Sequence, residues 1–516
     1  MELLIAFFSY IVPAISFVAA LYLYLLRNRR PLFPVVNACA GDYTGRKSHA
    51  LYEANARELI ANGLAEHDGP ITILTISGPK VILPSSLWNW VKSNKDLDHP
   101  ELVKEDYMAG SPGFEAQTIL HHDDHLLVNV IKSKLSKNEH ILPILNAGIQ
   151  EALSQHWGNG SDWHAIDWQR DTTGIISGAA AAVSASPALA QNDEWQQLTV
   201  NYTMSSFMAL GPLKAWPAPL RSVAHYFHPL SRSSRRLMSR ARDMTKQEVD
   251  RRRAMLTKAS EVGMPAPVHD DGLEWIRQAV NDRDVDHGAL QLALAIAALF
   301  TTSEALRQTI LELCKHQELI PDLREEIQQA VSQLGWTTRA LFRMELLDSV
   351  MKEAQRTLPA LGELLRQPLC DELYCRLTIA AGLERKAIRD TFLPNGVKIP
   401  KGTHIAVDAS PMWDPAVYDA PESFDGRRLL RLRDAGRSAY MFTAASREHQ
   451  TFGAGRSIYP GRFFADVELK LCLAHMLQEY DFRLGRGSEP KSMYAGIFPV
   501  VDPTARVEVR RACRPE

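Results

Sequence analysis

The sequence predicts a mainly α-helical protein with small β-sheets, placed behind one N-terminal membrane-spanning helix. Apolar residues recur at three- and four-residue spacing over long stretches, whereas strand patterns are short and few. The first apolar segment is also long enough to cross a bilayer. The 516 residues are 46% hydrophobic and 23% charged, so the composition is that of an ordinary folded protein.

An uncharged run from Leu3 to Leu26 opens the chain. In a helix, such a run spans about 36 Å. Three arginines follow between positions 27 and 30, and by the positive-inside rule they stay cytoplasmic. A cleaved signal peptide is the alternative, but it would begin with basic residues and have a shorter apolar run. We therefore expect an anchor at residues 1–27 and one cytosolic domain at residues 28–516.

The net charge argues against nucleic acid as a partner, and the cysteine pattern argues against a zinc site or a disulfide framework. The net charge of -2 gives no general attraction for nucleic acid, and the arginines between positions 232 and 242 lie in a helical, mixed-sign stretch. We expect a solvated helix face there. The six cysteines are scattered without a CxxC pair, so the sequence indicates neither a zinc site nor a disulfide framework, and a reducing compartment fits best.

Helix patterns dominate the domain and strand patterns are brief. Helical spacing runs through 126–153, 290–313 and 467–477, and the clearest strands are 71–76, 80–83 and 405–407. The stretch 289–316 is apolar on nearly every face, which predicts a helix buried through the middle of the body. A second membrane span is the alternative, but the polar residues from Thr301 to Arg307 interrupt the apolar run too early.

Three motifs follow one another in the second half of the chain. Glu353 and Arg356 are three residues apart in a helical segment, so their side chains leave the same face and can pair. The segment PESFDGRR follows, and then the glycine-rich segment FGAGRSIYPG, which opens a helix. The motif residues of these two segments are Pro421, Phe424, Arg428, Phe452, Gly453, Gly455, Pro460 and Gly461.

In their order and spacing, these motifs resemble the signatures of the cytochrome P450 family. Those signatures are the E-x-x-R pair, the P-x-x-F…R segment and the haem-binding loop F-G-x-G-R-x-x-C-P-G. The segment AALFTTS at 297–303 is similar to the oxygen-side helix motif, and PKGT at 400–403 adds support. The segment PGRFFA at 460–465 is especially similar to the corresponding segment of fungal members that tailor terpenes and polyketides.

The resemblance implies a cytochrome P450 fold, a haem cofactor and a monooxygenase that acts on a hydrophobic small molecule in a natural-product pathway. It also implies an NADPH-dependent reductase as a partner in the same endoplasmic reticulum membrane. By this resemblance, Glu353, Arg356 and Arg428 form a buried cluster that fixes the haem loop. The resemblance places the haem contacts at Phe452, Gly455, Arg456 and Gly461.

The same resemblance makes Thr301 or Thr302 the oxygen-side hydroxyl. The simpler interpretation of either residue is a helical threonine that bonds back to the carbonyl one turn earlier. Phe300 stands where the family has an acidic or polar residue, and Phe300 can neither relay a proton nor order a water. Ser457 stands where the family has an arginine or histidine that faces a haem propionate.

The largest departure is Tyr459, which falls on the position of the family's iron-binding cysteine. Cys472 lies thirteen residues further on within a predicted helix, too far to substitute. A thiolate ligand favours O–O cleavage, whereas a tyrosinate is the ligand of catalase-type haem. We therefore expect atypical or impaired haem ligation, with Tyr459 as the candidate axial residue.

Two further segments are open to more than one interpretation. The stretch 361–381, with Cys370 and Cys375, looks longer than the family's connection and is either an insertion or a misread gene boundary. The residues His121, His122, Asp123, Asp124 and His125 have the composition of a metal site, but a polar helix start explains them equally well.

Three hypotheses of function follow. The first is an oxidative P450-type enzyme with altered ligation. The second is a haem-free pocket of the same fold that binds or cyclises a pathway intermediate by shape and exclusion of water. The third is a degenerate or mis-sequenced family member.

Overall fold

The computed structural model describes residues 31–42, 44–120, 125–136, 139–265, 268–280, 285–357, 381–436, 440–490, 492–495, 498–502 and 504–513. The predicted anchor at residues 1–27 lies outside these ranges. So do residues 361–380 of the predicted insertion and positions 121–124 of the histidine cluster.

The predicted class, mainly α with small β-sheets, is confirmed. Helices fill most of the described chain, and three of them frame the site. We name these three the central helix (His287–Lys315), the pair helix (Glu345–Arg356) and the loop helix (Arg462–Glu479). The other α-helices are Arg46–His67, Trp88–Ser93, His99–Asp106, Glu115–Leu120, Leu126–Val130, Leu142–Trp157, Trp168–Ser184, Pro187–Ala190, Asp193–Met208, Leu210–Lys214, Arg221–Phe227, Pro229–Glu261, Gly272–Ala279, Ile320–Leu334, Thr338–Arg343 and Arg428–Asp434.

The central helix runs through the interior, as the sequence predicts. The Asp286 carboxylate caps it by accepting a hydrogen bond from the Ala289 amide at 2.9 Å. It packs against the helices Trp168–Ser184, Asp193–Met208 and Pro229–Glu261 and against the pair and loop helices. Among the described residues, it is the one helix long and apolar enough to cross a bilayer, yet most of its apolar window is buried in the protein. It is therefore the core helix of the domain.

One helix prediction is wrong in its extent. The sequence pattern continues from Leu126 to Leu153, but the structure has a short helix, a π-helical turn at Ile131–Leu135 and then a new helix at Leu142–Trp157. Pro143 lies in the first turn of that second helix. Because proline has no amide hydrogen to donate to a preceding carbonyl, it favours a helix start there.

Small sheets flank the helices, and the three predicted strands are confirmed. The strands of the largest sheet are β1 (Ile71–Thr75), β2 (Gly78–Leu83), β3 (Leu97–Asp98), β5 (Ala381–Ala387) and β8 (His404–Asp408). They lie in the order β1-β2-β8-β5-β3, in which β2 and β8 run parallel and the other neighbours are antiparallel. The smaller sheets contain β4 (His164–Ala165), β6 (Thr391–Phe392), β7 (Lys398–Ile399), β9 (Tyr480–Leu484), β10 (Ser492–Ala495), β11 (Phe498–Val501) and β12 (Val507–Arg511).

His125 is the one described member of the histidine cluster. It lies directly before the helix Leu126–Val130, with a left-handed φ of 52°. Within the part of the chain that the structure describes, no group of three or more His, Cys, Asp or Glu is arranged to hold a metal ion. The position of His125 at a helix start agrees with the simpler interpretation of this segment.

Candidate active site

Glu353, Arg356 and Arg428 come together in the interior. The Glu353 carboxylate accepts hydrogen bonds from Arg356 Nε at 2.8 Å and from Arg356 Nη2 at 2.7 Å. Arg428 Nε donates to the same carboxylate at 2.8 Å. The Glu353 and Arg356 side chains are fully buried, and that of Arg428 is 5% exposed. Two cations therefore share one buried anion.

The remaining donors of this cluster bind backbone. Arg356 Nη1 donates to the carbonyl oxygens of Met412 at 3.0 Å and Pro421 at 2.7 Å. Arg428 Nη2 donates to the carbonyl oxygen of Ser423 at 2.9 Å. Because both guanidinium groups reach carbonyls of the segment between positions 412 and 423, the cluster holds that segment against the pair helix.

The glycine-rich segment forms a tight loop before the loop helix. Gly453 and Gly455 have φ values of 67° and 66°, a region that favours glycine. A Cβ atom on Gly455 would also lie 2.5 Å from the carbonyl oxygen of Lys92. The Tyr459 amide donates to the carbonyl oxygen of Phe452 at 3.0 Å, which closes the loop on itself.

Tyr459 extends from this loop to the central helix. Its hydroxyl donates to the carbonyl oxygen of Ala297 at 2.8 Å. Its ring lies parallel to that of Phe452, with centroids 6.2 Å apart and an interplanar angle of 8°. Burial raises the pKa of the Tyr459 phenol well above its usual range. The side chain is therefore a neutral phenol that bridges the loop and the central helix.

Thr301 and Thr302 occupy different environments. Thr301 is exposed although it lies in the middle of the central helix. Its hydroxyl donates to the Ala297 carbonyl at 3.2 Å, as in the simpler interpretation of a helical threonine. Thr302 is 3% exposed and faces the packed side. Only Thr301 is therefore placed beside Tyr459; the side chain of Phe300 lies outside the described residues.

A further candidate residue, Arg385, was missed from the sequence. It is 4% exposed on β5, where its Nη2 donates to the Ala454 carbonyl of the glycine-rich loop at 2.8 Å. It makes no ion pair with any carboxylate of the described chain, and burial lowers its pKa to about 10. Arg385 shares the buried face of β5 with Leu383 and Ala387 at two-residue spacing, a signal that depends on knowing that this face is buried.

Arg456 lies close to Arg385, and its positive charge also lowers the pKa of that arginine. Arg456 is itself exposed, and its Nη2 donates to the carbonyl oxygen of Asn94 at a long 3.4 Å. Two neighbouring cations, one of them buried without a carboxylate partner, favour an anionic group at this rim of the loop.

Glu468 is a buried carboxyl group without a hydrogen-bond partner among the described residues. It is fully buried on the loop helix. Burial raises its pKa well above the usual range, so the group is a neutral acid. Cys472 is fully buried on the same helix, ten residues after Arg462, so at 1.5 Å per residue it lies about 15 Å along the helix from the loop.

The site fits a haem at its rim but not at its centre. Arg385 and Arg456 would suit the carboxylates of such a group. A metal ligated by Tyr459 would have to lie beyond the phenol oxygen, where the Ala297 carbonyl now lies at hydrogen-bond distance. Two oxygens 2.8 Å apart leave room for one hydrogen between them and for no porphyrin plane. With Tyr459 in this position, the residues present do not fit a haem.

The comparisons with known proteins agree with the motifs. The family described as "Cytochrome P450" matches residues 188–373 and 375–509. Cytochrome P450 monooxygenase adrA of Penicillium rubens is 33% identical over 96% of this chain and 94% of its own length. Cytochrome P450 monooxygenase pyr3 of Aspergillus fumigatus is 30% identical over 97% of this chain and 94% of its own length.

A solved structure supports the fold. Retinoic acid bound cyanobacterial CYP120A1 superposes with a TM-score of 0.62 at 18% identity, and the match covers 90% of this chain and 96% of that one. At this identity the likeness concerns the fold alone. The whole-chain similarity to named monooxygenases shows the family directly. This chain therefore belongs to the cytochrome P450 family of enzymes.

Proposed function

We propose that this protein is a cytochrome P450-type oxidoreductase that acts on a hydrophobic small molecule in a fungal natural-product pathway. We further propose that its haem ligation is impaired, because Tyr459 stands where the family keeps its cysteine. One observation carries the proposal: the buried Glu353–Arg356–Arg428 cluster is complete, while the glycine-rich loop presents a phenol to the central helix.

The choice of substrate class rests on the exposed stretch of the central helix at Thr301. Ala297 and Ala298, four and three residues before it, are partly exposed, so small apolar side chains lie one turn from this hydroxyl. Such a surface suits a largely apolar molecule with a polar group for Thr301 to orient. The relatives in Penicillium and Aspergillus support a fungal setting.

The proposal includes a place in the cell. The uncharged run from Leu3 to Leu26, with its following arginines, favours an anchor at residues 1–27 and a catalytic domain at residues 28–516 in the cytosol. The endoplasmic reticulum membrane is the expected location. An NADPH-dependent reductase anchored in that membrane would be the redox partner.

A second candidate function is favoured by the Tyr459–Ala297 hydrogen bond. A phenol that fills the space between the loop and the central helix suits a pocket of the same fold that works without haem. Such a pocket would bind or cyclise a reactive intermediate by holding its shape and excluding water.

Product mass separates the two candidates. The full-length protein is produced with a P450 reductase in a fungal host that makes the pathway's hydrophobic intermediates, and extracts are compared with those of the Tyr459→Cys variant. A product of the wild type that carries added oxygen, or that has lost hydrogen, supports oxidation. A new isomer of unchanged mass from the wild type would support the second candidate and exclude the first.

A further inference from the structure

We infer that Tyr459 is an internal plug, not a ligand: its side chain must leave the Ala297 carbonyl before a haem can lie between the central helix and the loop helix. The inference rests on the proposed function, because it concerns the same site. It reverses the role expected from the sequence, in which the Tyr459 phenolate replaces the missing thiolate.

The Tyr459 ring lies between the loop helix and the central helix. A Cβ atom built on Gly461 would lie 2.9 Å from the Tyr459 hydroxyl oxygen and 3.0 Å from the ring carbon that bears it. The tip of the phenol therefore lies over the first turn of the loop helix, which begins at Arg462. The same hydroxyl reaches Ala297 on the central helix at 2.8 Å. One side chain thus spans the gap between these two helices.

Several contacts hold the ring in the gap. The Phe452 ring lies parallel to it, and the Phe452 carbonyl binds the Tyr459 amide at 3.0 Å. The phenol hydrogen is used in the bond to Ala297, a carbonyl that also accepts from the Thr301 hydroxyl. A haem entering this gap must break the phenol bond and displace the ring.

The surroundings also disfavour a phenolate. Ligation of iron by tyrosine requires the phenol to lose its proton. No cation among the described residues is hydrogen-bonded to the Tyr459 oxygen, and the nearby Glu468 has no partner of its own. Without a cation bound to it, a phenolate would be a buried charge without compensation, so the neutral phenol remains bound to Ala297.

Titration with haemin tests the inference on the full chain, purified in detergent. Binding is followed by quenching of tryptophan fluorescence and by the thermal shift of unfolding, neither of which needs catalysis. Tyr459→Ala and Tyr459→Ser remove the ring, and either one suffices if the other fails to fold. Tyr459→Phe is the matched control, because it keeps the ring and loses only the hydroxyl.

The expected result is haemin affinity at least tenfold higher, about 1.4 kcal/mol, for the Ala or Ser variant than for the wild type. The Phe variant should bind haemin less tightly than the Ala or Ser variant and only modestly more tightly than the wild type, because its ring still fills the gap but no phenol hydrogen bond has to be broken. Equal or tighter binding by the wild type would overturn the inference, since the phenol would then assist haem binding. Failure of the proposed function is a separate result: no oxidised product from any haem-loaded variant with reductase.

Discussion

The Glu353 carboxylate and the Arg356 guanidinium form two hydrogen bonds, of 2.8 and 2.7 Å, between fully buried side chains. Arg428 adds a third bond to the same carboxylate. Buried charges of this kind are stable only when every partner is present. The fold therefore depends on a single anion that holds the segment between positions 412 and 423 against the pair helix.

Loss of that anion should prevent the protein from folding. Glu353→Ala leaves two buried guanidinium groups without a counter-charge, at a cost of about 3 to 5 kcal/mol. We expect little folded Glu353→Ala protein on expression. Glu422→Ala is the matched control, since Glu422 is 64% exposed and pairs with Arg57 at the surface. Normal yield and melting of the Glu353 variant would show that the cluster is dispensable.

Lys352 should make stability rise with pH. Burial lowers its pKa to about 7, from an ordinary value near 10.5. Between these two values the unfolded chain binds a proton that the folded chain does not. The free energy of unfolding should therefore increase with pH across this window, by up to about 1.4 kcal/mol per unit from this group.

Lys352→Met tests whether Lys352 causes this rise in stability with pH. The variant loses the hydrogen bonds from Lys352 Nζ to the Met441 and Ala444 carbonyls, both 2.6 Å, so it should be less stable overall. Its stability should also rise less steeply between pH 7 and pH 10 in urea unfolding. Parallel curves for the two proteins would mean that Lys352 keeps its charge when folded.

The phenol of Tyr459 should contribute to stability without any cofactor. Tyr459→Phe removes the hydrogen bond to Ala297, and the expected loss is about 1 kcal/mol in the free energy of unfolding. Tyr202→Phe is a matched control, because that buried hydroxyl donates to the Gly113 carbonyl at 2.9 Å in another part of the protein. If Tyr459→Phe were as stable as the wild type, the phenol would not be hydrogen-bonded to Ala297 when the protein is in solution.

Arg385 should favour the binding of an anionic group at the rim of the loop. In a Tyr459→Ala background, Arg385→Met is expected to weaken haemin binding by about tenfold, or 1.4 kcal/mol. Arg483→Met is the control, since Arg483 is half exposed and pairs with Glu508. Unchanged affinity after the Arg385 substitution would exclude that arginine from the site.

Much of the fold could be predicted from local pattern. The central helix is apolar on nearly every face, and the strands near positions 71, 80 and 405 have distinct turn residues beside them. The extent of the helix after Leu126 was wrong, because apolar spacing alone does not register the π-helical turn at Ile131–Leu135. Regular spacing shows which face is buried, but not where a backbone hydrogen-bond pattern changes.

The site residues that belong to a sequence motif could be predicted. Glu353, Arg356 and Arg428 meet as expected, since their spacing and order are part of that motif. Arg385 was missed because a single arginine in a strand becomes informative only when its neighbours are known to be buried. The direction of the Tyr459 side chain was also beyond the sequence, since it depends on the distance between two helices far apart in the chain.

The proposal that haem ligation is impaired at Tyr459 is tested most directly by the absorption spectrum of the purified full-length protein, as isolated and after reduction under carbon monoxide, beside Tyr459→Cys. We expect Soret absorption far below one haem per protein in the wild type, and a haem spectrum with the thiolate-type carbon monoxide shift in the cysteine variant. A wild type that is purified with a full complement of haem would contradict the account, because the phenol would then have to lie away from Ala297.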